Sequence, residues 1–152
     1  ILLFLLHTGL RVNELVELRL DDVEFGHPGT HLVVREGRHA ESRRIPLEGE
    51  VRRVLHEYLL VRPNVEGENH LFLSREGRPL STRSVQRIVS VRAQAAGLEG
   101  VSPQALRRTY ASRLLATTGD LVLVAERLGH QSLGTTTRYM GQSAIKQTNG
   151  TD

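Results

Sequence analysis

Cysteine and tryptophan are absent from this chain, and a single lysine, Lys146, stands among twenty basic residues. Without thiols there is no disulfide scaffold, no cysteine-ligated zinc and no sulfur nucleophile, a composition that fits a reducing compartment. Long apolar runs are missing as well. The opening Ile1-Leu2-Leu3-Phe4-Leu5-Leu6 is too short to span a bilayer and has no basic flank before it, which disfavours both a membrane segment and a secretory leader. A soluble, cytoplasmic protein is the expectation. Metal-ligand spacing is lacking too, since His56-Glu57 has no second histidine one helical turn on. There is no internal repeat and no low-complexity block.

What remains is one domain's worth of chain: 152 residues, 39% hydrophobic, enough for a core but not for two comfortable domains. It opens without methionine on what reads as a helix already under way, so a fragment of a longer protein is expected. The formal charge is only +3, but nearly all the positive charge is arginine. Arginine grips phosphate in bidentate fashion better than lysine does. Composition alone still favours a solvated surface over nucleic-acid binding, and position has to decide.

Residues 1–7 read as the end of an apolar helix broken by Thr8-Gly9, with Asn13 as cap of a second helix carrying Leu15, Val16 and Leu18. Asp21 to Gly29 is turn-like. Leu32-Val33-Val34 and Arg44-Ile45-Pro46-Leu47 read as a small antiparallel hairpin around Gly37 to Ser42, and His70 to Leu73 as an edge strand. Helical spacing runs from Glu48 to Val61 and again from a Ser81 or Thr82 cap to Gly97. Ser102-Pro103 is a strong helix start, leading to about Ala116. Asp120 starts another helix that Gly129 ends, and Ser132 caps a short one leading to Tyr139. The polar stretch after Gly141 is expected to be loose. The fold class is α+β, mainly α, with a small antiparallel sheet.

Chemistry concentrates in three boxes. Leu128-Gly129-His130-Gln131-Ser132-Leu133 sets a histidine nine positions before Tyr139. Arg11 lies near a helix start in Thr8-Gly9-Leu10-Arg11-Val12-Asn13-Glu14-Leu15, and Arg107 lies in Ser102-Pro103-Gln104-Ala105-Leu106-Arg107-Arg108. A phosphodiester gathers negative charge on two non-bridging oxygens during displacement, and two guanidiniums answer that charge without a metal. Taken singly, each residue has a plain alternative: Arg11 pairs with Glu14, Arg107 edges the core, His130 caps a helix and Tyr139 packs. Their combination is far less expected by chance.

TGLRVNEL, SPQALRRTYASRLL and LGHQSLGTTTRYM together resemble the tyrosine recombinase, or phage integrase, family, in box order and in the spacing from Arg107 through His130 to Tyr139. The likeness covers nearly the whole chain. It implies the helical catalytic domain of that family over residues 1–152, with the family's N-terminal core-binding domain lying outside the fragment. It further implies site-specific recombination of double-stranded DNA without metal or nucleotide cofactor. Tyr139 would attack a phosphate to form a 3′-phosphotyrosine, Arg11 and Arg107 would hold its oxygens, and His130 would donate to it or take the phenol proton. Four protomers on two duplexes are the implied assembly for a full-length protein, the isolated fragment being monomeric.

Two positions depart from the pattern. Where the family carries a hairpin lysine as general acid, the alignment puts Arg38, and its histidine three residues before the second arginine is Gln104 here. Arginine releases a proton reluctantly and glutamine shuttles none. His39, beside Arg38, is a candidate proton source or simply a solvated loop residue. Arg43, Arg44, Arg83 and Arg87 are candidates for contacts to the DNA backbone. A DNA-binding remnant with impaired cleavage, a type IB topoisomerase and a non-catalytic helical regulator are the alternatives.

Overall fold

The computed structural model describes residues 1–27, 29–35 and 42–148, with 142–148 described as backbone only. The chain runs α1 (Leu2–Thr8), α2 (Val12–Glu17), a single 3₁₀ turn (Leu20–Asp22), β1 (Val23–Phe25), β2 (Thr30–Val34), β3 (Arg43–Leu47), α3 (Gly49–Val61), α4 (Thr82–Ala95), α5 (Pro103–Thr118), α6 (Leu121–Leu128) and α7 (Leu133–Thr148). The expected class, mainly helical with a small antiparallel sheet, is what forms. Among the described residues no helix is long and apolar enough to cross a membrane.

Strand alternation orients the sheet. Thr30, Leu32 and Val34 of β2 and Arg43, Ile45 and Leu47 of β3 are buried, and the antiparallel register pairs Leu32 with Ile45 and Val34 with Arg43. Because the side-chain period is two, Arg43 is carried to the inner face by the same parity that buries Ile45 and Leu47. That face joins Leu5, Leu10, Leu15, Leu55, Leu71, Val85 and Val89 in one core. Ala111, Val124 and Leu128, with Tyr110, Leu114, Leu115, Tyr139 and Met140 against them, form a second cluster between α5, α6 and α7.

Helix ends follow the caps legible in the sequence. The Ser81, Ser102 and Asp120 side chains accept from the backbone N–H three residues on, at 3.1, 3.1 and 2.9 Å. Gly9 and Gly129 close α1 and α6 in the left-handed region, both with φ of 63°.

Four expectations are corrected. Asn13 does not cap α2: Arg11 occupies that position, and the Glu14 carboxylate accepts from its backbone N–H at 2.7 Å. Within Asp21 to Gly29, Val23–Phe25 is a strand pairing with Thr30–Leu32, and only Val23 is buried, too short a run for alternation to show. His70 to Leu73 is not a strand, since it makes only isolated bridges, Arg19 with His70 and Leu73 with Pro79. Leu71, Phe72 and Leu73 are all buried in succession, with Phe72 packed on Phe4 and Tyr58, so they serve as a core plug. Finally, α7 does not stop near Gly141 but continues to Thr148, a lone glycine in a helix costing only about 1 kcal/mol.

Candidate active site

The last carbonyls of a helix lack intrahelical donors and carry the negative end of its dipole. At the end of α6 those groups organise the site. The backbone N–H groups of Gly129 and His130 turn back onto the carbonyls of Glu126 and Ala125 at 3.0 and 2.9 Å. The next three carbonyls each receive a guanidinium: Arg127 O from Arg43 Nε at 3.0 Å, Leu128 O from Arg107 Nη2 at 2.7 Å, and Gly129 O from Arg11 Nη2 at 3.3 Å. Three arginines from three distant segments are thereby gathered at one helix end.

Arg107 is the most enclosed of them, 2% exposed on the inward stripe of α5 with Pro103 and Ala111. Its Nη1 donates to Gly9 O at 2.6 Å, so one side chain ties the end of α1 to the end of α6. That close approach needs Gly9, because a Cβ there would overlap the Tyr110 ring. Burial, together with the charges of Arg11 and Arg43, pulls the Arg107 guanidinium down to about 10, which leaves it fully charged at neutral pH.

Glu14 sits among the three. Its Oε2 is 2.7 Å from Arg43 Nη2 and 3.8 Å from Arg107 Nη1, and its Oε1 is 2.8 Å from Arg11 Nη1. Burial works against this carboxylate, but hydrogen bonds from Arg43 and the Arg11 backbone, and the charges of both arginines, outweigh it and hold Glu14 below the usual carboxylate range. Among these four side chains positive charge exceeds negative, so the cluster attracts an anion.

His130 leaves the α6 terminus directly into this field. Its Nε2 lies 3.3 Å from Arg107 Nη2 and its Nδ1 lies 2.9 Å from Thr136 Oγ1. Burial first, then the charges of Arg107, Arg11 and Arg43, lower its pKa to about 4, so the ring is neutral at neutral pH. Tyr139, on α7, meets the imidazole edge to face with centroids 5.5 Å apart. Burial raises the phenol pKa, while the charges of Arg107 and Arg108 and a hydrogen bond from Arg107 pull the other way.

The structure thus brings together Arg11, Arg107, His130 and Tyr139. The Arg11–Glu14 pair, the plain alternative for Arg11, is also present, and it coexists with the bond to Gly129 O. Gln104 is exposed on the first turn of α5 and lines a cleft of about 470 Å³ with Arg11, Leu10, Ser90 and Ser102. Arg38 and His39 lie outside the described residues. Arg83 and Arg87 are exposed on α4, and Arg44 is exposed with its guanidinium on Glu24. Arg43 corrects the expectation of a surface contact: it is 7% exposed and its guanidinium is engaged with Glu14 and α6.

Sequence reasoning treated Glu14 only as a surface partner and passed over Thr136. Strand parity was the available signal for Arg43, and spacing of three from Arg11 the signal for Glu14. Nothing in the run Thr135-Thr136-Thr137 singles out its middle hydroxyl.

The chain is similar to known proteins in both sequence and fold. The phage integrase family matches residues 1–144. Tyrosine recombinase XerC of Staphylococcus carnosus (strain TM300) is 34% identical over 142 residues, covering 91% of this chain and 47% of that protein. The crystal structure of XerA recombinase has a TM-score of 0.82 at 30% identity over 95% of this chain and 53% of its own. XerH site-specific recombinase bound to its difH substrate, a pre-cleavage complex, has a TM-score of 0.77 at 28% identity over 91% of this chain and 41% of its own. The chain spans about half the length of the curated relatives it matches. With the family matched over residues 1–144 and a recombinase relative 34% identical over 91% of this chain, the chain belongs to the phage integrase family of tyrosine recombinases.

Proposed function

We propose that residues 1–152 form the catalytic domain of a site-specific DNA recombinase that cuts and rejoins double-stranded DNA through a covalent phosphotyrosine at Tyr139. The observation that carries this reading is the convergence of Arg107, His130 and Tyr139 at the end of α6, with Arg11 bonded to the same helix terminus. A phosphate entering there meets guanidiniums suited to its two non-bridging oxygens. The Tyr139 oxygen attacks phosphorus, the new O–P bond forms as the bond to the 5′-oxygen breaks, and a 3′-phosphotyrosine remains. The phenol proton goes to neutral His130 or to water, and the departing 5′-oxygen takes up a proton. Attack by a 5′-hydroxyl from another strand runs the steps backward and releases Tyr139, so no external energy source is consumed.

Proton delivery is the weak part of this site. Gln104 hydrogen-bonds without shuttling, and Arg38 is a poor acid where the family carries lysine. Arg44, Arg83 and Arg87 are surface groups available to DNA phosphates, with salt-dependent affinity as the consequence. In the full-length protein, a core-binding domain would complete a clamp on the duplex, and four protomers would join two duplexes by exchanging C-terminal segments.

Gln104 also favours a second reading, a recombinase remnant that binds DNA without efficient cleavage. A pool of nicked duplexes of randomised sequence, incubated with the protein and recovered in SDS, separates the two. Covalent protein on DNA, lost in Tyr139→Phe with binding retained, supports the enzyme. Equal recovery with both proteins, or none with either while DNA is still bound, rejects it.

A further inference from the structure

Helix α7 presents two side chains to His130, and only one of them is the candidate nucleophile. Thr136 stands three residues before Tyr139, so both project from the same face of α7. Its neighbours spend their hydroxyls locally: Thr135 on Ser132 at 2.9 Å and Thr137 on Leu133 O at 3.0 Å. Thr136 differs from both. It is 0% exposed, and its Oγ1 lies 2.9 Å from His130 Nδ1.

The other ring nitrogen decides which way that bond runs. His130 Nε2 faces Arg107 Nη2 at 3.3 Å, and a guanidinium can only donate. Nε2 therefore carries the lone pair, and in a neutral ring the single proton is on Nδ1, donating to the Thr136 hydroxyl. The groups acting on this imidazole are the cations Arg107, Arg11 and Arg43 and the anion Glu14, together with Tyr139 from α7. Burial first, and then the cations, disfavour imidazolium and keep the ring neutral, the state in which a tautomer has meaning.

We infer that Thr136 is a positioning residue: by accepting from Nδ1–H it joins Arg107 in holding His130 as the Nδ1–H tautomer, with the Nε2 lone pair turned toward Arg107 and the anion site. Resting on the proposed role of this site, the assignment makes His130 a proton acceptor before DNA binds and a donor to phosphate only after Nε2 gains a proton. It also links the seating of α7 to the state of the imidazole, since the helix that carries Tyr139 carries the hydroxyl that orients the ring.

The test is nitrogen NMR of this chain labelled with ¹⁵N-histidine at neutral pH, alone and as the variants Thr136→Val and Thr136→Ser. Native protein should show His130 protonated at Nδ1 and bare at Nε2, with Thr136→Ser matching it. Thr136→Val should give a mixture with Nε2 protonated. Covalent trapping on nicked DNA should fall about tenfold in the valine variant, the order expected for one lost orienting hydrogen bond, and stay within about twofold in the serine variant. A native ring protonated at Nε2 overturns the assignment whether or not the valine variant folds. An unchanged tautomer in a folded valine variant also overturns it, because Arg107 alone would then suffice. Expected tautomers with no trapping in any protein would support the positioning role and count against cleavage.

Discussion

Replacing Glu14 with glutamine keeps the shape of the side chain and removes a negative charge that three guanidiniums share. Its carboxylate is 2.7 Å from Arg43, 2.8 Å from Arg11 and 3.8 Å from Arg107, and only 12% of the side chain is exposed. Arg43 and Arg107 are themselves 7% and 3% exposed at the side chain, so water does not replace the lost partner. Breaking an enclosed ion pair from one side costs about 3–5 kcal/mol, and the lower end applies because the amide oxygen still accepts one hydrogen bond. A loss of about 3 kcal/mol lowers Tm by roughly 6–12 °C for a domain of this size. Urea unfolding of the native and E14Q proteins measures it directly, with an unchanged m-value showing that the folded state keeps its compactness. Inorganic phosphate should then stabilise E14Q more than native protein, because the anion replaces the missing charge. A stability loss below about 1 kcal/mol, or equal phosphate effects, would show that the carbonyls of α6 hold the arginines without Glu14.

Acidification should destabilise the fold. His130 has its pKa lowered to about 4, so between the ordinary histidine value near ~6.5 and that point the unfolded chain binds a proton that the folded chain does not, and stability falls with pH across the window. Discounted for the solvent reaching the ring, this amounts to about 1–2 kcal/mol, and a His130→Gln variant should show a flatter profile there. Below it the depressed Glu14 carboxylate adds a further loss as it protonates. Gly9→Ala should cost about 2–4 kcal/mol from left-handed backbone and overlap with Tyr110, whereas Gly119→Ala, with similar φ and open space, should cost about 1 kcal/mol; equal losses would clear Tyr110. Arg38→Lys combined with Gln104→His should raise the rate of covalent trapping about tenfold or more if proton delivery limits cleavage, and no gain would locate the limit elsewhere.

Much of the scaffold could be read from local chemistry. Ser81, Ser102 and Asp120 cap their helices as their residue types suggest, and the break at Gly9 falls where glycine permits positive φ. Among the elements misread, β1, with one buried residue in three, and the consecutive buried run at Leu71 to Leu73 have patterns too short or too uniform to show a period. In the site, the four residues singled out by the boxes do meet, but Arg43 belongs to its interior and Arg38 lies outside the described residues.

The sequence by itself determined where α4, α5 and α6 begin, where α1 and α6 end, and which side chains have the chemistry for a phosphate, because capping and helical periodicity act within three or four residues. Only the tertiary structure decided what holds those side chains. The bonds from Arg107 to Leu128, from Arg43 to Arg127, from Arg107 to Gly9 and from Arg11 to Gly129 join residues 21, 84, 98 and 118 positions apart. No local pattern encodes such pairings. They exist because packing β3 and α5 against α6, and bringing the start of α2 to its end, delivers guanidiniums to carbonyls that have no donor within the helix.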